Sequence, residues 1–271
     1  MKKCIVAVVM AVCLLIPGAM AVDQEALSLS DLNSEETFAF EVERVHRLTP
    51  EAGTDGAHYN VQQGCTTDGE YAYFILENQI IDKGSIWKLN PEDWSLVDFA
   101  LDLPIDHGND MTYNSKTHQL VIVNNRPNYD TLTIVDPDTL EILDTMKLPY
   151  SMYAIDYCES RDQYVVGLSN GYDFIILDGN FEAVNRFSGL DTGLVRQGVN
   201  CDDQYIYFPQ SREDTDPNAV IVYDWEGNFV SRIRIKSNYQ ELEGMFQLDG
   251  KVYLAFFAGG AHIYEAMLIK E

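Results

Sequence analysis

Short runs of apolar residues that favour β-structure alternate with polar turn sequences from residue 63 to the end of the chain. One unit begins at Gln63–Cys65 and continues through Ala72–Leu76. A nearly identical unit begins at Gln197–Val199 and continues through Tyr205–Pro209. Runs of this length and composition, bounded by Gly, Pro, Asn and Asp, are typical of β-strands. The pattern therefore predicts an all-β chain.

The units recur with a nearly constant spacing. Their leading residues are 44, 46, 44 and 46 positions apart, and a small residue follows each one. A fixed period in this range indicates a repeat architecture. Each unit holds four short strands separated by turns, which is typical of a blade of a β-propeller. The five leading residues are Gln63, His107, Tyr153, Gln197 and Glu243.

The last unit is one strand short. After Glu243 the chain has room for only three strands, whereas Thr37–Val45 alternates apolar and polar residues with a period of two. We expect this N-terminal strand, within residues 37–48, to complete the last blade and to remove its open edge. The sequence thus predicts a five-bladed β-propeller of four-stranded blades that spans residues 37–271.

The residues before the predicted domain have a different character. A basic start at Lys2 and Lys3, an apolar run at Ile5–Ile16 and small residues at Ala19–Ala21 are typical of a secretory signal peptide. We expect residues 1–21 to be removed and the protein to be secreted into the extracellular space. Residues 22–36 are acidic and rich in Ser, and they are expected to form a flexible leader.

The charge limits the classes of partner. A formal net charge of −25 is unfavourable for binding nucleic acid, whose recognition depends on basic contacts to phosphate. It is equally unfavourable at anionic membrane surfaces, and we expect a monomer that is not inserted into a membrane. Three cysteines follow the signal: Cys65, Cys158 and Cys201. Their number is odd and they occupy different positions within their units, which argues against a disulfide framework. They are expected to be small buried residues, although a bridge between two of them stays open.

One mouth of the central channel is the predicted functional surface. In a propeller the leading residues would form a ring at this mouth, surrounded by the longer loops, and variable loops on a rigid scaffold commonly carry function. Amides, aromatic rings and arginines in such a ring suit recognition of a sugar or a peptide. The candidate ligand-binding residues are Gln63, His107, Tyr153, Gln197, Glu243, Arg126, Tyr129, Arg212 and His262.

Catalysis and metal binding are the alternatives. A His with two carboxylates could act as acid and base, so a glycan hydrolase or lyase would use His107, Asp110 and Glu243. His107 and Glu243 could also hold a loosely bound Ca²⁺ in the channel. The sequence contains none of the usual signatures of serine hydrolases, zinc proteases or phosphate-binding loops, so we favour a protein that is not an enzyme. A scaffold for protein–protein contacts is the remaining alternative.

Two motifs resemble those of known families. The turn at Asp136–Glu141 resembles the YVTN/NHL-like superfamily of secreted bacterial propellers. His107–Tyr113, together with Gln-Gly preceding Asp-Gly-x-Tyr at Gln63–Tyr71, looks like a five-bladed group that includes teichoic-acid-biosynthesis C-type proteins and phage receptor-binding propellers. The resemblance covers residues 38–271 and implies recognition of cell-surface polymers. The third unit departs from the pattern, because Tyr153-Ala154 replaces the polar-Gly pair.

Overall fold

The computed structural model describes residues 27–50, 55–212, 218–236 and 240–271, and β-strands dominate them. Two short 3-10 turns, Leu29–Asp31 and Asp55–His58, are the helical segments of this part of the chain. The strands are β1 (Phe38–Leu48), β2 (Val61–Thr67), β3 (Ala72–Asn78), β4 (Lys83–Asn90), β5 (Ser95–Leu103), β6 (Asp110–Asn114), β7 (Gln119–Val123), β8 (Thr131–Val135), β9 (Ile142–Lys147), β10 (Met152–Cys158), β11 (Gln163–Leu168), β12 (Asp173–Asp178), β13 (Ala183–Ser188), β14 (Val195–Arg196), β15 (Asn200–Cys201), β16 (Tyr205–Ser211), β17 (Ala219–Asp224), β18 (Phe229–Ile235), β19 (Glu241–Leu248), β20 (Lys251–Phe257) and β21 (Ala261–Lys270).

Three of the predicted units form separate four-stranded antiparallel sheets. The strands β2–β5, β6–β9 and β10–β13 each pair in chain order. Within the first sheet, Cys65 lies opposite Phe74 and Phe74 lies opposite Trp87. The inner three strands of each sheet are largely buried, whereas the outer strands β5, β9 and β13 are mostly exposed. Four-stranded blades are therefore present, as the sequence pattern predicts.

The N-terminal strand joins the remaining strands into one nine-stranded sheet. Its order is β14-β16-β17-β18-β1-β21-β20-β19, and β15 also pairs with β16. Strand β1 runs antiparallel to β21, where Phe38 lies opposite Lys270. It also runs parallel to β18 over three residues, where Phe38 lies opposite Ile233 and Phe40 opposite Ile235. The first described strand thus pairs with the last strand of the chain.

The innermost strands contact one another around a common axis. Strands β2, β6, β10, β15 and β19 contact each other in this order, and β19 contacts β2. Two glycines allow this close approach. A Cβ atom on Gly64 would lie 2.4 Å from the Cα of Asp110, and one on Gly244 would lie 2.7 Å from the Cys65 Sγ. At these two positions the small residue is thus a packing requirement where the strands crowd together.

Hydrophobic clusters fill the spaces between neighbouring sheets. Phe174 on β12 contacts Phe208 on β16 with the ring centroids 5.1 Å apart. Phe74 on β3 meets Phe246 on β19 edge to face at 5.9 Å. Aromatic pairs in these arrangements add to the free energy gained by burying their area. The sheets are therefore held by apolar side chains on both faces, and polar groups are concentrated along the axis.

The described part of the predicted leader packs against the last strands. Leu29 and Leu32 are buried in the same apolar cluster as Phe38. The Tyr205 hydroxyl donates a hydrogen bond to the Leu32 carbonyl at 3.3 Å. The predicted signal peptide at residues 1–21 lies outside the described residues. Among the described residues, no helix has both the length and the apolar character that a membrane span requires.

Candidate functional site

The five leading residues lie near the starts of the inner strands, and all are buried. Asn109 links two of them, because its Nδ2 donates to the Tyr153 carbonyl at 2.7 Å and to the Gln197 carbonyl at 3.0 Å. The side chain of Gln197 in turn donates to Glu241 Oε1 at 3.0 Å. The backbones of Tyr153 and Gln197 are therefore neighbours, joined by an amide that the sequence reasoning did not select.

Asp110 occupies the channel itself. Its Oδ2 accepts hydrogen bonds from the Ile155 and Val199 amides at 3.1 and 3.0 Å, and its Oδ1 accepts from the Met111 amide at 3.0 Å. Burial raises the pKa of this carboxyl well above its usual range, and the amide donors oppose the rise. Only 1% of the residue is exposed, so the carboxylate ties three inner strands together. Because backbone amides engage both of its oxygens, Asp110 is not placed to act as the acid or base of a hydrolase.

His107 lies between the carboxylate of Glu77 and the guanidinium of Arg126. Its Nδ1 is 2.9 Å from Glu77 Oε1, and its ring nitrogens are 3.2 and 3.4 Å from Arg126 Nη2. Both the Glu77 carboxylate and the Arg126 guanidinium are nearest to Nδ1. The imidazole thus links the buried Glu77 to the exposed Arg126 at the mouth.

Several buried oxygen atoms beside this cluster have no hydrogen-bond donor among the described residues. They are Glu77 Oε2, Gln62 Oε1 and Asn125 Oδ1. The other ends of these side chains are occupied: Gln62 Nε2 donates to the Gln63 carbonyl at 2.5 Å, and Asn125 Nδ2 donates to Asn109 Oδ1 at 2.6 Å. Buried polar atoms in proteins nearly always have partners. A ligand group that reaches these buried acceptors and brings hydrogen-bond donors would satisfy them.

We call Gln62, Glu77, His107, Asn125 and Arg126 the rim site. Glu77, near the end of β3, lies opposite Val61 on β2, and Gln62 is the next residue along β2. Asn125 and Arg126 come from the loop after β7, and the Arg126 carbonyl accepts the His107 amide at 3.3 Å. Two adjacent blades therefore build this part of the mouth.

Tyr153 is enclosed by its neighbours. The Arg196 guanidinium lies 4.9 Å from the centre of its ring, and a Cβ on Gly167 would lie 2.6 Å from the ring. Arg196 is anchored by hydrogen bonds to the Leu168 and Ser169 carbonyls at 2.7 and 3.2 Å. Burial raises the pKa of the Tyr153 hydroxyl. The ring packs within the third and fourth units and does not offer an open stacking face.

The outer candidates are distributed over several loops. Tyr129 is 40% exposed, and its carbonyl accepts the Met152 amide at 2.8 Å. Arg212 is exposed at the end of β16. His262 on β21 is buried, and neither of its ring nitrogens has a hydrogen-bond partner among the described residues. Burial lowers the pKa of His262, and the nearby charges of Arg47 and Arg44 lower it further.

The carboxylates do not form an evident metal site. Within the described ranges, no group of three or more His, Cys, Asp or Glu side chains is arranged to hold a metal ion. Glu243 is buried on β19 and lies close enough to the channel to raise the pKa of the Cys65 thiol, although burial is the main cause of that rise.

Sequence reasoning missed Gln62, Glu77 and Asn109. Asn109 lies inside the His107–Asp110 motif, and its position there was a usable signal. Glu77 is a carboxylate that directly follows the apolar run of β3, which is unusual for a buried position. Gln62 carries no comparable signal, because its hydrogen bonds are to the carbonyls of the residues that follow it.

Comparison with known proteins supports the fold. No family model matches the chain, and no curated protein matches it. The calcium-binding protein regucalcin from Agrobacterium tumefaciens is similar in structure, with a TM-score of 0.52, 14% identity and coverage of 85% of this chain and 96% of that chain. The WD40 domain of Neurospora crassa Pan2 has a TM-score of 0.50 and 10% identity, over 83% of this chain and 95% of that chain.

A third similar structure is much longer than this chain. Kuenenia stuttgartiensis hydrazine synthase gives a TM-score of 0.45 and 15% identity, over 76% of this chain and 57% of that chain. At such identities the likeness to regucalcin and Pan2 shows the fold alone. The chain has a β-propeller fold.

Proposed function

We propose that this chain is a secreted, non-catalytic five-bladed β-propeller that binds a glycan or cell-wall polymer at the rim site. The blade count is supported by the five inner strands, which contact one another in a closed order. Closure by the N-terminal strand is supported by the pairing of β1 with β21. Secretion is supported by the sequence pattern at residues 1–21.

The unpartnered oxygens of the rim site carry this proposal. Glu77 Oε2, Gln62 Oε1 and Asn125 Oδ1 are buried acceptors next to the His107–Arg126 pair. A ligand rich in hydroxyl or ammonium groups would satisfy them, and leaving such atoms unpaired costs about 1–3 kcal/mol each. The net charge of −25 also favours neutral or cationic groups over anionic ones. Sugar hydroxyls meet both requirements.

The same geometry gives less support to hydrolysis. Both oxygens of Asp110 are engaged by backbone amides in the channel, so Asp110 is not placed to protonate a leaving group. A hydrolase would have to use His107 with Glu77, where the carboxylate orients the imidazole. This alternative makes a distinct prediction, because it requires reaction products.

Retention on immobilised polysaccharides tests the proposal. The full chain is incubated with a panel of plant, host and bacterial-wall polymers, and the bound fraction and released fragments are measured. We expect retention without fragments, and we expect Glu77→Gln to weaken it about tenfold because an acceptor is replaced by a donor. Glu92→Gln changes an exposed carboxylate in the turn between β4 and β5 and serves as the matched control.

The other outcomes separate the alternatives. If the wild type releases fragments and the His107→Ala variant does not, the protein is a hydrolase or lyase. Retention that is unaffected by Glu77→Gln and His107→Ala would place the ligand elsewhere on the molecule. The absence of both retention and fragments across the panel would favour a peptide or protein partner.

A further inference from the structure

Two cysteines meet on the side of the channel that faces away from the rim site. Cys158 is the last residue of β10 and Cys201 is the last residue of β15. These are the inner strands of the third and fourth units, and they contact each other. The two cysteines occupy different positions within their repeat units. The spacing of the repeats therefore did not predict that they lie close together.

Both cysteines pack into the same cluster of buried residues between the third and fourth units. The Cys158 Sγ also lies 3.4 Å from the Ser160 Oγ and 3.6 Å from the Asp202 carbonyl oxygen, immediately after Cys201. The backbone amide of Cys201 donates to Asp156 Oδ2 at 2.7 Å. Asp156 therefore holds the backbone of Cys201, and pairing with Gln163 on β11 holds the backbone of Cys158.

The two thiols differ in acidity. The hydrogen bond from Cys201 is the largest cause that lowers the pKa of Cys158, to about 7, and burial opposes it. Burial raises the pKa of Cys201 well above its usual range. A thiolate paired with a thiol is the arrangement that reactive dithiols use, because the thiolate is the nucleophile.

A small reagent can approach the pair. Cys201 is partly exposed and lines a polar cavity of about 200 Å³ at this end of the channel. Thr112, Asp156, Asn200 and Gln247 also line it. Cys158 is 3% exposed, and its Sγ lies beside the exposed side chain of Ser160. Cys65 is buried against Gly244 and does not line this cavity.

We propose that Cys158 and Cys201 form a reversible disulfide that joins the inner strands of the third and fourth units. The oxidant is a small-molecule disulfide of the glutathione class. The Cys158 thiolate attacks one sulfur of that disulfide, and the other sulfur leaves as a thiolate. Cys201 then gives up its proton, to the released thiolate or to solvent, and its sulfur displaces the second small thiol. The protein thus loses two electrons and two protons, and the small disulfide becomes two thiols.

Such a bond would connect two blades that the backbone joins only through 42 intervening residues. Closing a loop of this length restricts the unfolded chain strongly, and it should raise the melting temperature by about 5–10 °C. The pair would stabilise the propeller under oxidising conditions and release this restraint under reducing conditions.

The test uses the full chain with Cys4→Ser and Cys13→Ser, so that three cysteines remain. The protein is equilibrated in buffers of graded oxidised and reduced glutathione, quenched with acid and alkylated, and its peptides are mapped by mass spectrometry. We expect a linked Cys158–Cys201 peptide lacking two hydrogen atoms, and a rise in melting temperature that dithiothreitol reverses. Cys65→Ala should retain both signals, and Cys201→Ser should lose both.

Three results would overturn the proposal. One is a stable glutathione adduct on Cys158 with no linked peptide. Another is linkage of Cys65 at a comparable yield. The third is a rise in melting temperature that persists in Cys201→Ser. If a serine variant does not fold, the linked peptide in the Cys65→Ala background decides the question by itself.

Discussion

Two buried aspartates show how single residues in the channel serve the assembly of the blades. Asp110 accepts three backbone amides from the second, third and fourth units. Asp156 repeats this role further along the axis, where it accepts the Thr112 hydroxyl at 2.6 Å and the Cys201 amide at 2.7 Å. Each carboxylate pairs groups that would otherwise be buried without partners.

Asp156 makes the stability of the protein depend on pH. Burial raises its pKa from an ordinary value of 3.8 to about 6, and its hydrogen bonds oppose the rise. A group with a raised pKa in the folded state stabilises the protein at low pH, and this contribution is lost as the pH rises through that value. The rise corresponds to roughly 3 kcal/mol of unfolding free energy.

Asp156→Asn should remove this dependence. The amide cannot ionise. The unfolding free energy of the variant minus that of the wild type should therefore increase by about 3 kcal/mol as the pH rises from about 4 to 7. Urea denaturation at several pH values measures the difference, and the exposed Asp144→Asn is the control. A constant difference between Asp156→Asn and the wild type across this range would contradict the assignment.

At the scale of elements, β1 is the strand that connects the two ends of the chain. It pairs with β21 along most of its length and with β18 at Phe38–Phe40. Phe40 is fully buried in an apolar cluster with Ile233 and Ile235. The strand therefore contributes backbone hydrogen bonds on both edges and apolar side chains to the core.

Phe40→Ala should destabilise the protein strongly. Removing a fully buried ring leaves a cavity and loses its transfer free energy, which together cost about 3–5 kcal/mol. Glu43→Ala, an exposed change on the same strand, should alter the unfolding free energy by less than about 0.5 kcal/mol. Urea denaturation of both variants gives the comparison. Similar small effects in the two variants would show that β1 is dispensable for the fold.

The elements were predictable from the sequence where local pattern decides them. The expected strand within residues 37–48 appears as Phe38–Leu48, and the expected run at Ala72–Leu76 appears within Ala72–Asn78. The fourth inner strand is different, because it is split into Val195–Arg196 and Asn200–Cys201. The intervening Gln197–Val199 segment hydrogen-bonds across to Asn109 and Asp110 instead, and no local pattern encodes that long-range choice.

The rim site was only partly predictable for the same reason. His107 and Arg126 follow from the repeat and from loop composition. The contacts among His107, Arg126 and Glu77 depend on how two neighbouring blades pack, and the sequence pattern does not specify that packing. The leading residues were expected to line an open mouth, but Tyr153 packs against Gly167 because no side chain there fills the space.

At the scale of the whole molecule, excess negative charge acts on a fold that is already closed by contacts between its inner strands. The formal net charge is −25, with 43 acidic residues against 18 basic ones. Like charges on a compact surface repel one another, and unfolding relieves this repulsion by moving them apart. Salt screens the repulsion over about 10 Å at 0.1 M ionic strength.

The melting temperature should therefore rise with ionic strength, by about 3–5 °C between 10 mM and 500 mM NaCl. Differential scanning calorimetry measures it, and 5 mM CaCl₂ and 5 mM MgCl₂ are compared as a second pair of conditions. Screening acts on both divalent ions alike, so similar small shifts are expected. A shift with CaCl₂ that far exceeds the shift with MgCl₂ would mean specific binding, because a ligand at 100 times its Kd adds about 2.7 kcal/mol. A melting temperature that falls or stays constant with NaCl would show that self-repulsion does not limit the stability of this propeller.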